Sequence, residues 1–342
     1  MLDDTTSLAA GIATSQDAMI TSPSVKTKLL VRATRIKDEA IGIRSFEICA
    51  PDGVELPAFT AGAHIEVHLT SGLVRSYSLC SDPAERHRYV FAVLREEAGR
   101  GGSREIHDRI RVGDELTISA PRNHFPLAGR EARFHLLLAG GIGVTPMIAM
   151  IAELERRGAP WRLHYCTRTP ERTAFRDFLA PHIARGNVIL HHDNGDPAQS
   201  IDIVSLLASF EIGTHLYYCG PPGFMRACAA GLEPWPPHAV HREFFSGGAI
   251  ETDTSNDAPF EIKLRSTGKV LSVPVGKSIV AVLAESGCSV DTDCNEGYCG
   301  TCITRYRAGT PEHRDTVLSD KERQTYVMVC CARAKGLLEL DL

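Results

Sequence analysis

The sequence predicts three domains in one chain: a small antiparallel β-barrel, an α/β domain with a parallel sheet, and a compact domain around a metal cluster. Short strands separated by turn residues fill the first third, strand and helix then alternate, and a cysteine-rich loop with cluster-ligand spacing follows. A polar stretch, S-G-G-A-I-E-T-D-T-S-N-D-A-P, precedes the last domain and is typical of a linker. The predicted boundaries are 1–25 for a mobile tail, 26–128 for the barrel, 129–247 for the α/β domain, 248–259 for the linker and 260–342 for the cluster domain.

Composition excludes several classes of protein. The formal net charge of −5 argues against a nucleic-acid partner, which would favour a basic face. No run approaches the roughly 18 apolar residues of a membrane span, and the acidic N-terminus lacks the basic start of a secretory signal. Eleven cysteines without an export signal indicate metal ligation in a reducing compartment. We therefore expect a cytoplasmic protein that binds neither nucleic acid nor membrane.

The barrel is predicted from alternating apolar and polar residues between turn signals such as Pro51-Asp52-Gly53 and Val112-Gly113-Asp114. Little helical pattern separates these short strands, which favours an antiparallel barrel. The predicted strands are Leu29–Arg35, Ile43–Cys49, His64–Leu69, Val74–Ser81, Tyr89–Arg95 and Glu115–Ala120, with a short helical stretch at Glu105–Ile110.

The α/β domain is predicted from a continuous apolar run, Phe134–Ala139, followed by a glycine-rich turn and an amphipathic helix. Further strand and helix units repeat at a spacing that indicates a parallel sheet, which binds ligands at the carboxyl ends of its strands. Strands are predicted at Arg162–Thr167, Val188–His191, His215–Cys219 and Ala239–Phe244, and helices at Met147–Arg157, Thr173–Ala184, Ile201–Phe210 and Phe224–Leu232.

The third domain contains Cys294, Cys299 and Cys302 in a C-x4-C-x2-C arrangement, and Cys330 follows after 27 intervening residues. This is the plant-type ferredoxin spacing, in which four thiolates hold a [2Fe–2S] cluster. Glycines in the loop let the backbone wrap closely around such a cluster. A zinc site normally needs two C-x2-C pairs and the chain has one; buried thiols used only for packing remain the alternative.

The rest of this domain is predicted as a hairpin, a helix and two further strands around the loop. About 80 residues make a small core, so the cluster is expected to supply part of the folding free energy. The predicted elements are Phe260–Arg265, Val270–Val275, Ser278–Ser286, Ile303–Arg307 and Leu337–Leu342.

A candidate flavin site lies in the barrel at Arg75-Ser76-Tyr77-Ser78. The arginine could bind a phosphate, the aromatic ring could lie on a flat heterocycle, and a hydroxyl could bond a ring nitrogen. Taken alone, the motif also fits an ordinary edge strand. The residues Gly101, Gly102 and Ser103 precede a helical stretch and offer backbone N–H groups to a phosphate. Together the two motifs indicate flavin mononucleotide, FMN.

A candidate nicotinamide site lies at two turns that follow strands of the α/β domain. The first turn, Gly140-Gly141-Ile142-Gly143-Val144-Thr145-Pro146, permits close approach of the backbone to a pyrophosphate at a helix N-terminus. It is not the G-x-G-x-x-G fingerprint. The second turn is Cys219-Gly220-Pro221-Pro222-Gly223. Taken alone Cys219 suits packing, but the pair of turns in one sheet favours a nicotinamide site.

These motifs, R-S-Y-S, A-G-R-G-G-S, G-G-I-G-V-T-P-M, C-G-P-P-G and C-N-E-G-Y-C-G-T-C in this order, resemble the phthalate dioxygenase reductase family from about Thr27 to Leu342. Members are NADH-dependent reductase components of Rieske oxygenases with FMN and a [2Fe–2S] cluster. The resemblance implies a flavin barrel, a ferredoxin reductase-like nucleotide domain and a β-grasp ferredoxin domain. It also implies a terminal oxygenase as protein partner. We expect a monomer, which would suit a protein that docks transiently on its electron acceptor.

The resemblance also implies roles for individual residues. Arg75, Ser76, Tyr77 and Ser78 would hold the flavin, with Gly101, Gly102 and Ser103 near its phosphate. The nicotinamide site would comprise Gly140, Gly141, Gly143, Thr145, Pro146, Cys219, Gly220 and Pro221, and Phe245 would pack on the flavin. Ser78, Thr145 and Cys219 are the expected catalytic residues. Leu94 departs from the family, where a second basic residue is expected. The cluster ligands would be Cys294, Cys299, Cys302 and Cys330, the last preferred over Cys331 because V-C-x-x-R-A-K-G places the ligand first.

Charge near the adenine ribose decides between NADH and NADPH. Arg168 and Arg172 would suit a 2′-phosphate, whereas Asp193 and its acidic neighbour Asp196 would bind ribose hydroxyls and repel a phosphate. We predict NADH, with Arg168 and Asp193 among the contacts. The alternatives are a reductase for a haem-thiolate monooxygenase or other acceptor, a non-catalytic iron–sulfur electron carrier, and an FAD enzyme of the wider ferredoxin reductase superfamily.

Overall fold

The computed structural model describes most of the chain. The described residues are 28–99, 101–129, 131–245, 257–292, 295, 297, 300–315, 317–318 and 320–342. The predicted tail 1–25, most of the predicted linker, and the predicted ligands Cys294 and Cys299 lie outside them. Within the described part of the chain, no helix has both the length and the apolar character that a bilayer crossing requires.

The first domain is an antiparallel barrel. Its strands run in the order β4-β3-β6-β1-β2-β5, and β7 pairs with β3. A bridge between Leu79 and Phe91 joins the two ends of this order, so the sheet closes. The core contains Phe46, Ile65 and Phe91, none of them exposed. The elements are β1 (Lys28–Ala40), β2 (Ile43–Cys49), β3 (Ala63–His68), β4 (Val74–Ser78), β5 (Tyr89–Leu94), α1 (Gly102–Arg109), β6 (Glu115–Ser119) and β7 (Arg122–Asn123).

The second domain has a parallel sheet in the order β10-β9-β8-β11-β12. Helix α3 begins later than predicted because Phe175 adopts a left-handed conformation, φ 58°, directly before it. Helix α4 is also shorter than predicted, starting after its cap Asp202. The elements are β8 (Phe134–Gly140), α2 (Thr145–Arg157), β9 (Trp161–Thr167), α3 (Arg176–Ala184), β10 (Val188–His192), α4 (Ile203–Leu207), β11 (Thr214–Cys219), α5 (Pro222–Ala230) and β12 (Val240–Glu243).

The third domain is a mixed sheet in the order β14-β13-β17-β15-β16. Its first strand, β13, pairs in parallel with its last, β17, and helix α6 packs on the sheet through Ile279 and Leu283. The elements are β13 (Phe260–Leu264), β14 (Val270–Val273), α6 (Ile279–Glu285), β15 (Ile303–Glu312), α7 (Asp320–Arg323), β16 (Tyr326–Met328) and β17 (Arg333–Leu340).

The barrel and the parallel-sheet domain share one apolar core. Cys80 and Phe125 of the barrel belong to the same buried cluster as Met150 of α2 and Leu163 of β9. Buried apolar area of this kind is the main stabilising contribution to a domain interface. The two domains are thereby fixed in the arrangement that positions the sites between them.

Candidate flavin and nicotinamide sites and cluster loop

The predicted phosphate site is assembled from two separate segments. A Cβ built on Gly102 would lie 2.9 Å from both Cγ and Nε of Arg75, so the arginine side chain crosses directly over the start of α1. Gly101 adopts φ 90° as the N-cap, and no side chain caps the helix. The Arg75 side chain and the first N–H groups of α1, which no side chain caps, therefore lie close together and form a donor set that suits a phosphate.

Ser103 belongs to the same turn and also fixes its geometry. Its Oγ accepts a hydrogen bond from the backbone N–H of Glu96 at 3.1 Å. The hydroxyl proton is still available for a further acceptor. The structure thus brings together Arg75, Gly101, Gly102 and Ser103 as the sequence predicts, although their contact with a cofactor stays a prediction.

Tyr77 and Ser78 occupy the end of β4. The Tyr77 ring stacks on Phe91 with a centroid distance of 5.5 Å, and burial raises the pKa of its hydroxyl. Ser78 is 4% exposed, and its Oγ donates to Oε2 of Glu243 at 3.1 Å. Ser76 is exposed on the same strand. The contact between Ser78 and Glu243 joins the flavin strand to the last strand of the parallel sheet.

The two predicted nicotinamide turns touch each other. A Cβ on Gly143 would lie 2.2 Å from the carbonyl oxygen of Cys219, and a Cβ on Gly220 would lie 3.0 Å from Cα of Gly140. Such approaches are possible only without side chains. Gly141, at φ 54°, supplies the left-handed residue that turns the chain into α2.

Helix α2 begins at this junction and no side chain caps its N-terminus. Thr145 is 2% exposed and donates from Oγ1 to the Ile142 carbonyl at 3.1 Å, while Pro146 stands in the first turn, where it suits a helix. Pro221 is the N-cap of α5. The Thr145 N–H already donates to the Ile142 carbonyl and Pro146 has no N–H, so contact between this turn and a pyrophosphate stays a prediction.

Cys219 lies at the carboxyl end of β11 with no exposed surface. Burial, and secondly the carboxylate of Glu243, raises the pKa of its thiol well above the usual value. The side chain is therefore a neutral thiol at physiological pH, suited to contact with a ring and not to nucleophilic attack. Cys219 and Glu243 are paired residues of neighbouring strands.

Phe245 follows β12 and packs, half-buried, against the core shared by the first two domains. The ends of β9 and β10 meet where the adenine end is predicted. The Asn194 N–H donates to the Arg168 carbonyl at 2.7 Å, and the Asp193 carboxylate accepts from the N–H of Gly195 at 2.9 Å. Arg168 and Asp193 are thus neighbours at one sheet edge.

The cluster loop is described only in part. Cys302 is 1% exposed and Cys330 is 6% exposed, and both belong to the core of the third domain. Cys331 is half-buried, and a Cβ on Gly297 would lie 2.6 Å from its Sγ. The buried position of Cys330 beside Cys302 fits its predicted ligand role, while Cys331 packs on the loop backbone.

Sequence reasoning missed Glu243 and Arg242. Both are charged residues at the carboxyl end of a parallel strand, the edge at which ligands bind, and this signal was present in H-R-E-F-F. Glu243 contacts Ser78, and Arg242 contacts the third domain through Val317. These two side chains connect three predicted sites.

Comparison with known proteins gives matches over nearly the whole chain. The family described as "2Fe-2S iron-sulfur cluster binding domain" matches residues 262–335. The chain is 49% identical, over 93% of its length and 97% of the relative's, to the tert-butanol monooxygenase / tert-amyl alcohol desaturase reductase subunit of Aquincola tertiaricarbonis.

Two solved structures are also similar. The phthalate dioxygenase reductase structure, described as modular for electron transfer from pyridine nucleotides to [2Fe-2S], matches with a TM-score of 0.70 at 40% identity. The match covers 94% of this chain and 100% of that one. An intact type IV self-sufficient cytochrome P450 monooxygenase matches with a TM-score of 0.76 at 34% identity, over 96% of this chain and 43% of that one.

Proposed function

Because this chain belongs to the phthalate dioxygenase reductase family, we propose that it passes electrons from NADH through FMN and a [2Fe–2S] cluster to a partner oxygenase of the Rieske type. The predicted family, fold class and oxidoreductase class are confirmed, as is the predicted set of cofactors. Its relatives serve oxygenase systems, which supports an oxygenase as the acceptor. The final substrate is not part of the proposal.

The contact between Ser78 and Glu243 carries the proposal. Cys219 and Glu243 are paired across β11 and β12, and Glu243 reaches Ser78 at the end of the flavin strand. The predicted nicotinamide and flavin residues are thus connected by a single side chain. Direct transfer between two cofactors needs this proximity and a fixed orientation.

In this mechanism the residues of the chain bind FMN and NADH and orient them. Arg75 and the start of α1 would bind the FMN phosphate, with Gly101, Gly102 and Ser103 forming the turn. Ser76, Tyr77, Ser78 and Phe245 would hold the ring, and Gly140, Gly141, Gly143, Thr145, Pro146, Cys219, Gly220 and Pro221 would hold NADH. When bound, FMN supplies the conversion from a two-electron donor to a one-electron acceptor.

Buried side chains also keep water from the junction. Ser78, Thr145 and Cys219 are all less than 5% exposed, and we propose them as the residues beside the reacting atoms. Exclusion of water strengthens each electrostatic interaction inside the site. Glu243 fixes the orientation of the Ser78 hydroxyl by accepting a hydrogen bond from it.

NADH is favoured over NADPH by the charge at the adenine end. Asp193 is half-buried beside the Arg168 backbone, and a carboxylate there would repel a 2′-phosphate. Kinetics with both nucleotides test this. A kcat/KM for NADPH equal to that for NADH would contradict the assignment.

An absorption spectrum before and after anaerobic NADH tests the whole proposal. We expect overlapping flavin and iron–sulfur bands that bleach together. A flavin that bleaches while the cluster stays oxidised would contradict the proposed route. Chromatography of the released flavin separates FMN from the FAD alternative, and a spectrum without flavin would support the electron-carrier alternative.

The acceptor is tested with purified partners. The similarity to a self-sufficient P450 keeps a haem-thiolate acceptor as the second candidate. We expect faster turnover with a Rieske-type oxygenase than with a P450. The opposite order would favour the second candidate.

Adjacent cysteines provide a matched pair of variants for the cluster. We propose Cys294, Cys299, Cys302 and Cys330 as the ligands. Cys330→Ser should abolish the iron–sulfur absorption and lower iron content, because a [2Fe–2S] cluster needs four thiolates. Cys331→Ser is the control and should retain both. Loss of the cluster in the second variant and not in the first would assign the ligand to Cys331.

A further inference from the structure

Arg242 lies where all three domains meet. The residue after it, Glu243, contacts Ser78 of the barrel at 3.1 Å. The Nη2 atom of Arg242 donates to the backbone carbonyl of Val317, in the third domain, at 3.0 Å. Neighbouring residues of a strand point to opposite faces. This one dipeptide therefore contacts the flavin strand with one side chain and the cluster domain with the other.

Val317 belongs to a short segment that packs on the predicted cluster loop. The buried Asp315 carboxylate accepts hydrogen bonds from the N–H groups of Val317 and Leu318 at 3.1 and 2.7 Å. These bonds hold the backbone of Val317 and Leu318 in position. A Cβ on Gly300 would lie 3.6 Å from Cγ1 of Val317, and a Cβ on Gly297 would lie 3.3 Å from Cα of Asp315. A shift of this segment would therefore displace Gly297 and Gly300, the two loop glycines that the structure describes.

The Arg242 side chain is held in place before it meets Val317. The guanidinium carbon of Arg242 lies 5.9 Å from the centre of the Phe244 ring. Burial raises the pKa of the neighbouring Tyr218 hydroxyl, and the charge of Arg242 partly opposes that rise. The same Nη2 lies 3.8 Å from Oε2 of Glu322, whose side chain is 45% exposed. An exposed ion pair contributes little, so the bond from the charged guanidinium to the carbonyl is the stronger contact.

Polar contacts of this kind hold domains together less firmly than an apolar core does. The barrel and the parallel-sheet domain share such a core, whereas Arg242 meets the third domain through hydrogen bonding and charge. Relative motion is the ordinary behaviour of domains joined by small polar interfaces. Among the described residues, the bond from Arg242 is a contact whose loss should change how often the third domain lies against the other two.

We propose that Arg242 is a positioning residue that holds the cluster domain against the flavin site and so sets the rate at which electrons reach the cluster. The inference rests on the proposed function. Arg242 acts through the Val317 carbonyl, so its removal should slow this step and leave the reduction of the flavin by NADH unchanged. A hydrogen bond from a charged donor is among the stronger polar contacts, and its loss lowers the population of the docked arrangement, so we expect the rate of cluster reduction to fall by at least about tenfold.

The test compares Arg242→Ala, Arg242→Lys and Glu322→Gln in the holoenzyme. Anaerobic stopped-flow absorbance after mixing with NADH separates flavin reduction from cluster reduction. We expect Arg242→Ala to slow only the second step, Arg242→Lys to restore part of the rate because an ammonium can donate to the carbonyl, and Glu322→Gln to stay within about twofold of wild type.

Small-angle X-ray scattering on the same proteins gives a readout that does not depend on activity. Arg242→Ala should have a larger radius of gyration than wild type and Glu322→Gln should not, while both keep the wild-type melting temperature. An unchanged second step or an unchanged radius in Arg242→Ala would overturn the inference, as would equal slowing of both steps. Failure of NADH to reduce the wild-type cluster would instead refute the proposed function, and the scattering comparison would still decide the role of Arg242.

Discussion

Gly143 permits the closest approach between the two nicotinamide turns, and Gly143→Ala should disrupt it. The added Cβ would lie 2.2 Å from the Cys219 carbonyl oxygen and 2.7 Å from the Gly220 nitrogen. Ordinary contact begins near 3.4 Å, so one turn must move by about 1 Å. Both obstructing atoms belong to the backbone, which cannot rotate away as a side chain would. Overpacking of this kind costs about 1–3 kcal/mol.

The functional loss should exceed the loss of stability. A displacement of about 1 Å at a reacting site reduces rates on the order of 100-fold, and Cys219 is proposed to lie beside the nicotinamide. We expect kcat/KM for NADH to fall by about that factor, measured as anaerobic flavin reduction. The melting temperature should fall by roughly 2–12 °C, from about 2–4 °C for each kcal/mol in a domain pair of this size.

Two other glycines are controls for this prediction. A Cβ on Gly223 would meet nothing closer than the Arg226 side chain at 3.9 Å, so Gly223→Ala should stay within about 0.5 kcal/mol of wild type. Gly141 has open space but φ 54°, so Gly141→Ala tests backbone strain without a clash, at a cost of about 1–2 kcal/mol. Wild-type NADH kinetics in Gly143→Ala would refute the reasoning.

Two predictions concern stability. Burial lowers the pKa of His164 and of His241 to about 4. The contribution of these two neutral imidazoles to the free energy of unfolding is complete above about pH 6.5, the pKa of histidine in the unfolded chain. It is lost as the pH falls towards 4, because the unfolded chain binds more protons than the folded one in that range. His164→Asn should therefore flatten the fall in urea midpoint between pH 7 and pH 5, unlike the exposed His87→Asn; identical slopes in both variants would contradict this. Arg314→Met removes the guanidinium that donates to Asp257, 7% exposed, at 3.2 Å, while Arg333 stays 4.0 Å from that carboxylate; the change should cost about 1.5–3 kcal/mol in chemical unfolding. The double variant with Asp257→Asn should recover much of this loss, and equal stability of the single and double variants would contradict the buried-pair argument.

The parts of the fold that follow from a repeating pattern were predictable from the sequence. The strand Ile43–Cys49 was placed at its observed bounds, and its pairing with β5 runs without a register shift. β1 continues to Ala40, beyond the predicted end, because irregularities in its register between Ala33 and Arg35 and between Asp38 and Ala40 interrupt the alternation. The two-residue strand Arg122–Asn123 has no pattern of its own and exists only through pairing with β3.

The candidate site divides in the same way. Glycine turns and cysteine spacing are local signals, and they predicted Gly102, Gly143 and Cys330. The contact of Arg75 with Gly102 joins segments far apart in sequence. Their common suitability for a phosphate linked the two motifs beforehand, but no local pattern predicted the contact itself. Glu243 was missed because a carboxylate on a strand has no special spacing, and its importance depends on Ser78 of another domain.

The parallel pairing of β13 with β17 has a consequence for how the protein is made. The residues that pair, such as Ile262 with Leu338, are separated by almost the entire domain. Ribosomes deliver a chain in order, and long-range pairing cannot begin before both partners have emerged. The central strand of this sheet is therefore synthesised after every predicted cluster ligand. Iron and sulfide delivered earlier would meet thiolates on an unfinished scaffold, so we expect stable insertion of the cluster to be among the last events in the maturation of the protein.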